Sequence, residues 1–142
     1  MRCEEIMKRD VECIDPTQPV QEAARRMRDA NVGFLPVCDS NRKVLGAITD
    51  RDIAIRIVAE GRPPTTTAAD VMTPEVVACR PDDDVTNAEQ LMGKRQKSRM
   101  IVTDENGRLV GVISPSDIAQ IEEVSRASQT MKQVTERGAR PH

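Results

Sequence analysis

Val20, Ala23, Ala24 and Met27 fall on one face of a helix, and Val85, Ala88, Leu91 and Met92 do the same sixty-five positions later. Each amphipathic stretch is preceded by a short strand, at 12–14 and 76–79, and by a proline-containing turn, DPTQP or RPDDD. Each is followed by two apolar runs that read as paired strands. The first pair is FLPVCD and KVLGAIT around Ser40-Asn41; the second is RMIVTD and RLVGVIS around Glu105-Asn106-Gly107. A closing helix follows each pair. DRDIAIRIVAEG stops at Gly61, and SPSDIAQIEE places Pro115 where a first helical turn tolerates it.

A constant shift of sixty-five aligns the halves without a gap. Ile6-Met7 falls on Val71-Met72, Pro16 on Pro81, Asp39 on Asp104, and Gly46, Ile48, Asp52, Ile53, Ala54 on Gly111, Ile113, Asp117, Ile118, Ala119. The chain is therefore an internal repeat. One β-α-β-β-α copy is too small to bury its apolar face, so two copies are expected to pack through their sheets around a pseudo-two-fold axis. The expected fold class is α/β (α+β). The division is a first repeat at 1–61, a linker at 62–68 (RPPTTTA), a second repeat at 69–120 and a tail at 121–142. In the tail, Ile121, Val124, Met131 and Val134 sit at roughly helical spacing.

Charge and composition narrow the function. With 21 Lys+Arg against 23 Asp+Glu, the net charge of −2 leaves no nucleic-acid footprint. Phe34 is the sole aromatic residue, so base-stacking platforms for single strands are absent. No apolar run approaches the roughly 20 residues of a membrane span, and MRCEEIMKRD lacks the apolar core of a signal peptide. Cys3, Cys13, Cys38 and Cys79 form no CxxC pair, and the only histidine is His142; a reduced cytoplasmic protein without a metal site is the expectation. No P-loop is present, and no internal histidine can serve a nucleophile, so no catalytic residue is assigned.

The motif that recurs is GAITDRDIA and GVISPSDIA. Thr49-x-x-Asp52 and Ser114-x-x-Asp117 both fit the capping box that starts a helix. Each also places a carboxylate beside a helix N-terminus, where unpaired N–H groups attract anions. Gly46 and Gly111, three residues earlier, suit a close backbone approach by a ligand or by another strand.

Two β-α-β-β-α units, each ending in G-h-h-[TS]-x-x-D-I, resemble a tandem pair of CBS domains (a Bateman module) of the small stand-alone bacterial kind, over about residues 3–120. The resemblance implies a non-enzymatic sensor that binds an adenosine-containing ligand, AMP, ADP or ATP first, in two clefts between the repeats. It implies no required cofactor, a homodimer and an unknown downstream partner protein. Carried onto this chain, one cleft uses Thr49, Arg51 and Asp52 against Val77, Ala78, Cys79, Lys97, Ser98 and Arg99. The other uses Ser114 and Asp117 against Glu12, Cys13, Ile14, Val32, Gly33 and Phe34. Because Pro115-Ser116 replaces Asp50-Arg51, the Thr49/Asp52 cleft is expected to hold phosphorylated ligands more tightly. The rival readings are a structural dimerisation module with empty clefts, an S-adenosylmethionine or NAD(H) site, and a redox-responsive module.

Overall fold

In the computed structural model, residues 1–95, 99–123, 127, 130 and 131 are described. The hairpins and helices stand where the hydrophobic pattern puts them. In the first half, α1 (Val20–Ala30) leads to β1 (Phe34–Cys38), β2 (Val44–Thr49) and α2 (Asp50–Ile53), which continues as a π-helical turn over Ala54–Val58. A short α3 (Ala68–Val71) opens the second half, followed by β3 (Ala78–Cys79), α4 (Val85–Arg95), β4 (Met100–Thr103), β5 (Leu109–Ile113) and a helix α5 over 115–123. The tail's expected apolar face is only partly visible: Ile121 is half-buried and Met131 exposed, while Val124 and Val134 lie outside the described residues.

The α1 face buries Val20, Ala23 and Met27, and the helix ends at Asn31 in the left-handed region (φ 55°), where asparagine is well tolerated. β1 and β2 pair antiparallel; β3 lies parallel to β4, which pairs antiparallel with β5. The expected strand at 12–14 contracts to one parallel bridge. Ile14 N–H donates to the Pro36 carbonyl (3.0 Å), and the Cys38 N–H donates to the Ile14 carbonyl (3.0 Å).

The segments that open the repeats are exchanged. Lys8 and Val112 trade backbone hydrogen bonds of 2.9 and 3.0 Å, so residues 1–8 edge the second sheet. Thr73 and Ala47 trade bonds of 2.9 and 3.0 Å, so residues 66–73 edge the first. The same exchange caps the helices. Val20 N–H donates to the Thr66 carbonyl (2.7 Å), and Val85 N–H donates to the Met1 carbonyl (2.8 Å), answering first-turn donors that a helix cannot satisfy itself. The linker is therefore a cap for α1 as well as a connection.

Three cores result. Ile14, Leu35, Val37 and Ile48 fill the first half, with Ala68 brought in by the exchange. Met92, Met100, Val102 and Ile113 fill the second, with Cys3 and Met7 brought in. Between them, Cys38, Ala47, Ile101, Leu109 and Val112 join the two sheets face to face. Lys43 and Arg108, equivalent in the repeat, form an antiparallel bridge at one end of this interface, as expected at a pseudo-two-fold axis.

The exchange explains the paired glycines. A Cβ on Gly46 would sit 2.7 Å from the Thr73 carbonyl oxygen and 2.8 Å from Met72 Sδ. On Gly111 it would meet Met7 Sδ at 2.7 Å and the Lys8 carbonyl at 3.0 Å. Gly46→Ala is therefore expected to lose roughly 1–3 kcal/mol, the cost of overpacking against backbone. Gly111→Ala is expected to lose less, because its nearest contacts are Met7 side-chain atoms and the backbone carbonyl of Lys8 stands farther off, at 3.0 Å. Gly93 on α4 has nothing within 4 Å of its would-be Cβ. Gly93→Ala is expected to gain about 0.5–1 kcal/mol. Urea unfolding of the three variants checks the opposite signs.

Candidate functional site

Two clefts flank the interface between the repeats. The first, about 310 Å³, is lined by Thr49, Arg51 and Asp52 from the β2–α2 junction, with Phe34, Ala47, Arg99 and Ile101. Its other wall is the exchanged segment, Thr73, Glu75, Val76 and Val77. The second, about 430 Å³, is lined by Ser114, Ser116 and Asp117 from the β5–α5 junction, with Val32, Gly33, Phe34, Arg99 and Val112, and by Lys8, Asp10, Val11 and Glu12. These positions correspond under the sixty-five-residue shift: Thr73 with Lys8, Glu75 with Asp10, Val76 with Val11, Val77 with Glu12. The two clefts are one design with different side chains.

Thr49 and Asp52 form a reciprocal cap. Asp52 N–H donates to Thr49 Oγ1 (3.1 Å), and Thr49 N–H donates to Asp52 Oδ2 (3.0 Å). Asp52 Oδ1 faces the Arg56 guanidinium at 3.9 Å, and Arg56 also donates to the Val71 (2.7 Å) and Met72 (3.1 Å) carbonyls. The neighbouring donors are answered as well: Asp50 N–H by the Gly33 carbonyl (2.9 Å) and Arg51 N–H by Asp50 Oδ1 (2.8 Å). The expectation of unpaired N–H groups at this helix start is thus corrected, because the local side chains take them. The cations lining this cleft are the Arg51 and Arg99 side chains.

Ser114 and Asp117 repeat the cap at greater depth. Ser114 N–H (2.8 Å) and Oγ (2.9 Å) both donate to Asp117 Oδ2, and Asp117 N–H donates back to Oγ (3.3 Å). The Asp117 side chain is 9% exposed against 16% for Asp52. Its Oδ1 lies 3.6 Å from Lys8 Nζ. Pro115-Ser116 does remove a cation from this junction, but the exchanged segment supplies Lys8, and Arg99 reaches both clefts. The second cleft still carries one more carboxylate than the first among the lining residues, with Asp10, Glu12 and Asp117 against Asp52 and Glu75.

Of the residues singled out by sequence, Thr49, Arg51, Asp52, Val77 and Arg99 meet in the first cleft, and Val32, Gly33, Phe34, Ser114 and Asp117 in the second. Phe34 lines the first as well. Cys13, Ile14, Ala78 and Cys79 line neither. Ile14 is fully buried in the first core, Cys13 packs between the sheets, and Cys79 lies under α4 with its Sγ 3.6 Å from Cys3 Sγ. Lys97 and Ser98 lie outside the described residues. Lys8, Asp10 and Glu75 were missed because the exchange of the opening segments carries no motif. The repeat shift is their signal: once one opening segment lines a cleft, its equivalent lines the other. Among the described residues, no cluster of three His, Cys, Asp or Glu can hold a metal, and no helix is long and apolar enough to cross a membrane.

Cys3, Cys38 and Cys79 are shifted toward the protonated form. Burial, with the Cys13 thiol alongside, pushes Cys38 up to about 12, and burial raises Cys79 and Cys3 as well. Their unfolded counterparts ionise near 9.0. Above that pH the unfolded chain binds fewer protons than the folded one, so stability falls as pH rises. The thermal midpoint is expected to drop as pH rises from about 9 toward about 12, and Cys38→Ala or Cys79→Ala to flatten that slope. A pH series of melts checks it.

The CBS-domain family model matches the chain twice, over residues 3–59 and 68–123. The CBS domain-containing protein YhcV of Bacillus subtilis is 38% identical over 115 residues, 81% of each chain. The crystal structure of hypoxic response protein 1, which carries two coordinated zinc ions, superposes with a TM-score of 0.77 at 30% identity, covering 84% of this chain and 98% of that one. The CBS-domain pair of protein MJ0100, in complex with 5′-methylthioadenosine and S-adenosyl-L-methionine, superposes with a TM-score of 0.80 at 26% identity, covering 88% and 98%. The exchanged, twice-written α/β architecture and both motif junctions agree with these matches, and the chain belongs to the CBS-domain family as a tandem pair of CBS domains.

Proposed function

We propose that this CBS pair is a cytoplasmic, non-enzymatic sensor that takes an adenosine-containing ligand, AMP, ADP or ATP first, into the clefts and passes its occupancy to a partner protein. The observation that carries the reading is the Thr49/Asp52 junction set against a partly apolar wall contributed by the second repeat. Asp52 uses Oδ2 for its own cap and turns Oδ1 toward Arg56. The Oδ1 atom is positioned to accept from a ribose hydroxyl. Val76, Val77 and Ile101 offer the flat apolar surface a base requires, and Arg51 and Arg99 suit a phosphate. A cleft of this size falls in the range of small-molecule sites. The MJ0100 pair, with its 5′-methylthioadenosine and S-adenosylmethionine, supports the ligand class. The extra carboxylate in the Ser114/Asp117 cleft favours phosphorylated ligands in the Thr49/Asp52 cleft. At ~0.3 kcal/mol per heavy atom, a nucleotide binds with ~7 kcal/mol, near 10 μM.

A second reading is a structural homodimerisation module whose clefts stay empty. It is favoured by Val58, 74% exposed, beside the exposed Ile55 on the closing helix of the first half.

Thermal unfolding with AMP, ADP, ATP, S-adenosylmethionine and NADH separates the two. A ligand at about 100 times its Kd adds ~2.7 kcal/mol, a rise on the order of 3–6 °C. Asp52→Ala is expected to lower the ligand-free protein by about 1 kcal/mol, the loss of a cap, while removing the first cleft's share of the ligand-induced rise. No shift with any of the five ligands leaves the structural reading.

A further inference from the structure

Phe34 and Arg99 are equivalent under the repeat shift, and each lines both clefts. They form the partition. Phe34 stands opposite Thr49 in the β1–β2 register, at the motif hydroxyl of the first cleft. Arg99 immediately precedes Met100, which is opposite Ile113, so it enters beside Ser114 of the second cleft. An exact two-fold would put the same side chain at both positions. This chain puts an apolar ring on one side of the axis and a single half-buried guanidinium on the other.

We propose that Arg99 serves both clefts in turn and makes them compete for phosphorylated ligands. This rests on the nucleotide reading above and adds a regulation to it. A guanidinium binds a phosphate through a planar fork and engages one such group bidentately at a time. A phosphate in the first cleft, where Arg51 already waits, draws Arg99 to that side. The second cleft then retains Lys8, whose ammonium faces Asp117, and is left with three carboxylates. A phosphorylated ligand there meets a more acidic site. Coupling between equilibrium affinities is reciprocal, so filling the second cleft weakens the first by the same factor. A ligand without a phosphate does not recruit Arg99, so its two clefts fill independently.

The test is calorimetric titration of AMP and of adenosine into the wild-type chain and into D52A, D117A and R99Q. D52A and D117A each disable one cleft; D52N and D117N, which keep a capping oxygen, replace them should either fail to fold. The expected result is that the cleft remaining in a single-cleft variant binds AMP on the order of 5–10-fold more tightly than the same cleft filled second in the wild type. Adenosine shows no such difference, and R99Q abolishes it for AMP. One AMP per wild-type chain, with AMP binding in both single-cleft variants, is the strong limit of the same competition. AMP binding to the wild type equal to the sum of the two single-cleft variants, or tighter second binding, overturns the inference while leaving the nucleotide reading intact. Binding of neither AMP nor adenosine to any form overturns both.

Discussion

The structure depends on two backbone contacts that leave no space for a side chain at the glycine beside each: Thr73 against Gly46–Ala47 and Lys8 against Gly111–Val112. A strand edge left with unpaired N–H and C=O groups is a liability, and burying it without partners is worse. Here the opening segment of each repeat closes the sheet of the other through paired hydrogen bonds to Ala47 and Val112, beside glycines that leave room for it. The same segments cap α1 and α4 and deliver Met7, Cys3 and Ala68 to the opposite cores. Sheet completion, helix capping and core filling are thus three results of one exchange.

The clefts are a by-product of that geometry. A segment that leaves a sheet edge and crosses toward its own repeat runs alongside the motif junction of the other half, and the space between becomes a cavity with one wall from each. This places Glu75 across from Asp52 and Lys8 against Asp117. Duplication then allows the two sites to diverge without disturbing the fold, because lining positions such as the half-buried Val77 and the exposed Glu12 tolerate change while their neighbours Cys79 and Ile14 hold the cores. The capping boxes fix each carboxylate in place through one oxygen and leave the other turned toward a cation, Arg56 or Lys8.

Much of this was legible in the residues. The 3.6-residue spacing on α1 and α4, the hairpin turns at Asp39 and Asp104, and the dense identity at one offset lead directly to two β-α-β-β-α units, and the motif residues Thr49, Asp52, Ser114 and Asp117 do stand at cavities. The exchange was not legible, because MRCEEIMK and TTAADVMT show no periodicity that says which sheet they edge. Cys13, Ile14 and Cys79 pointed the wrong way for the same reason: a strand reduced to one or two paired residues gives no alternation from which to read its inward face. The supposed open helix start failed on a subtler count, since Asp50 takes the Arg51 donor and the Gly33 carbonyl takes Asp50's. One turn shows the halves drifting apart under equal constraint. Arg42 adopts φ 63° where its equivalent Gly107 has φ 78°.

The contact between Cys3 and Asp83 has a meaning for how the molecule comes into being. Cys3 N–H donates to the Asp83 carbonyl at 2.8 Å, so residues 1–8 cannot reach their final place until the second copy is being made. Until then the nascent first unit also lacks Thr73 along its edge. Ligation at such sequence distance slows assembly and favours all-or-none completion over a finished half. A gene cut between its two copies would therefore yield two incomplete products rather than two small domains.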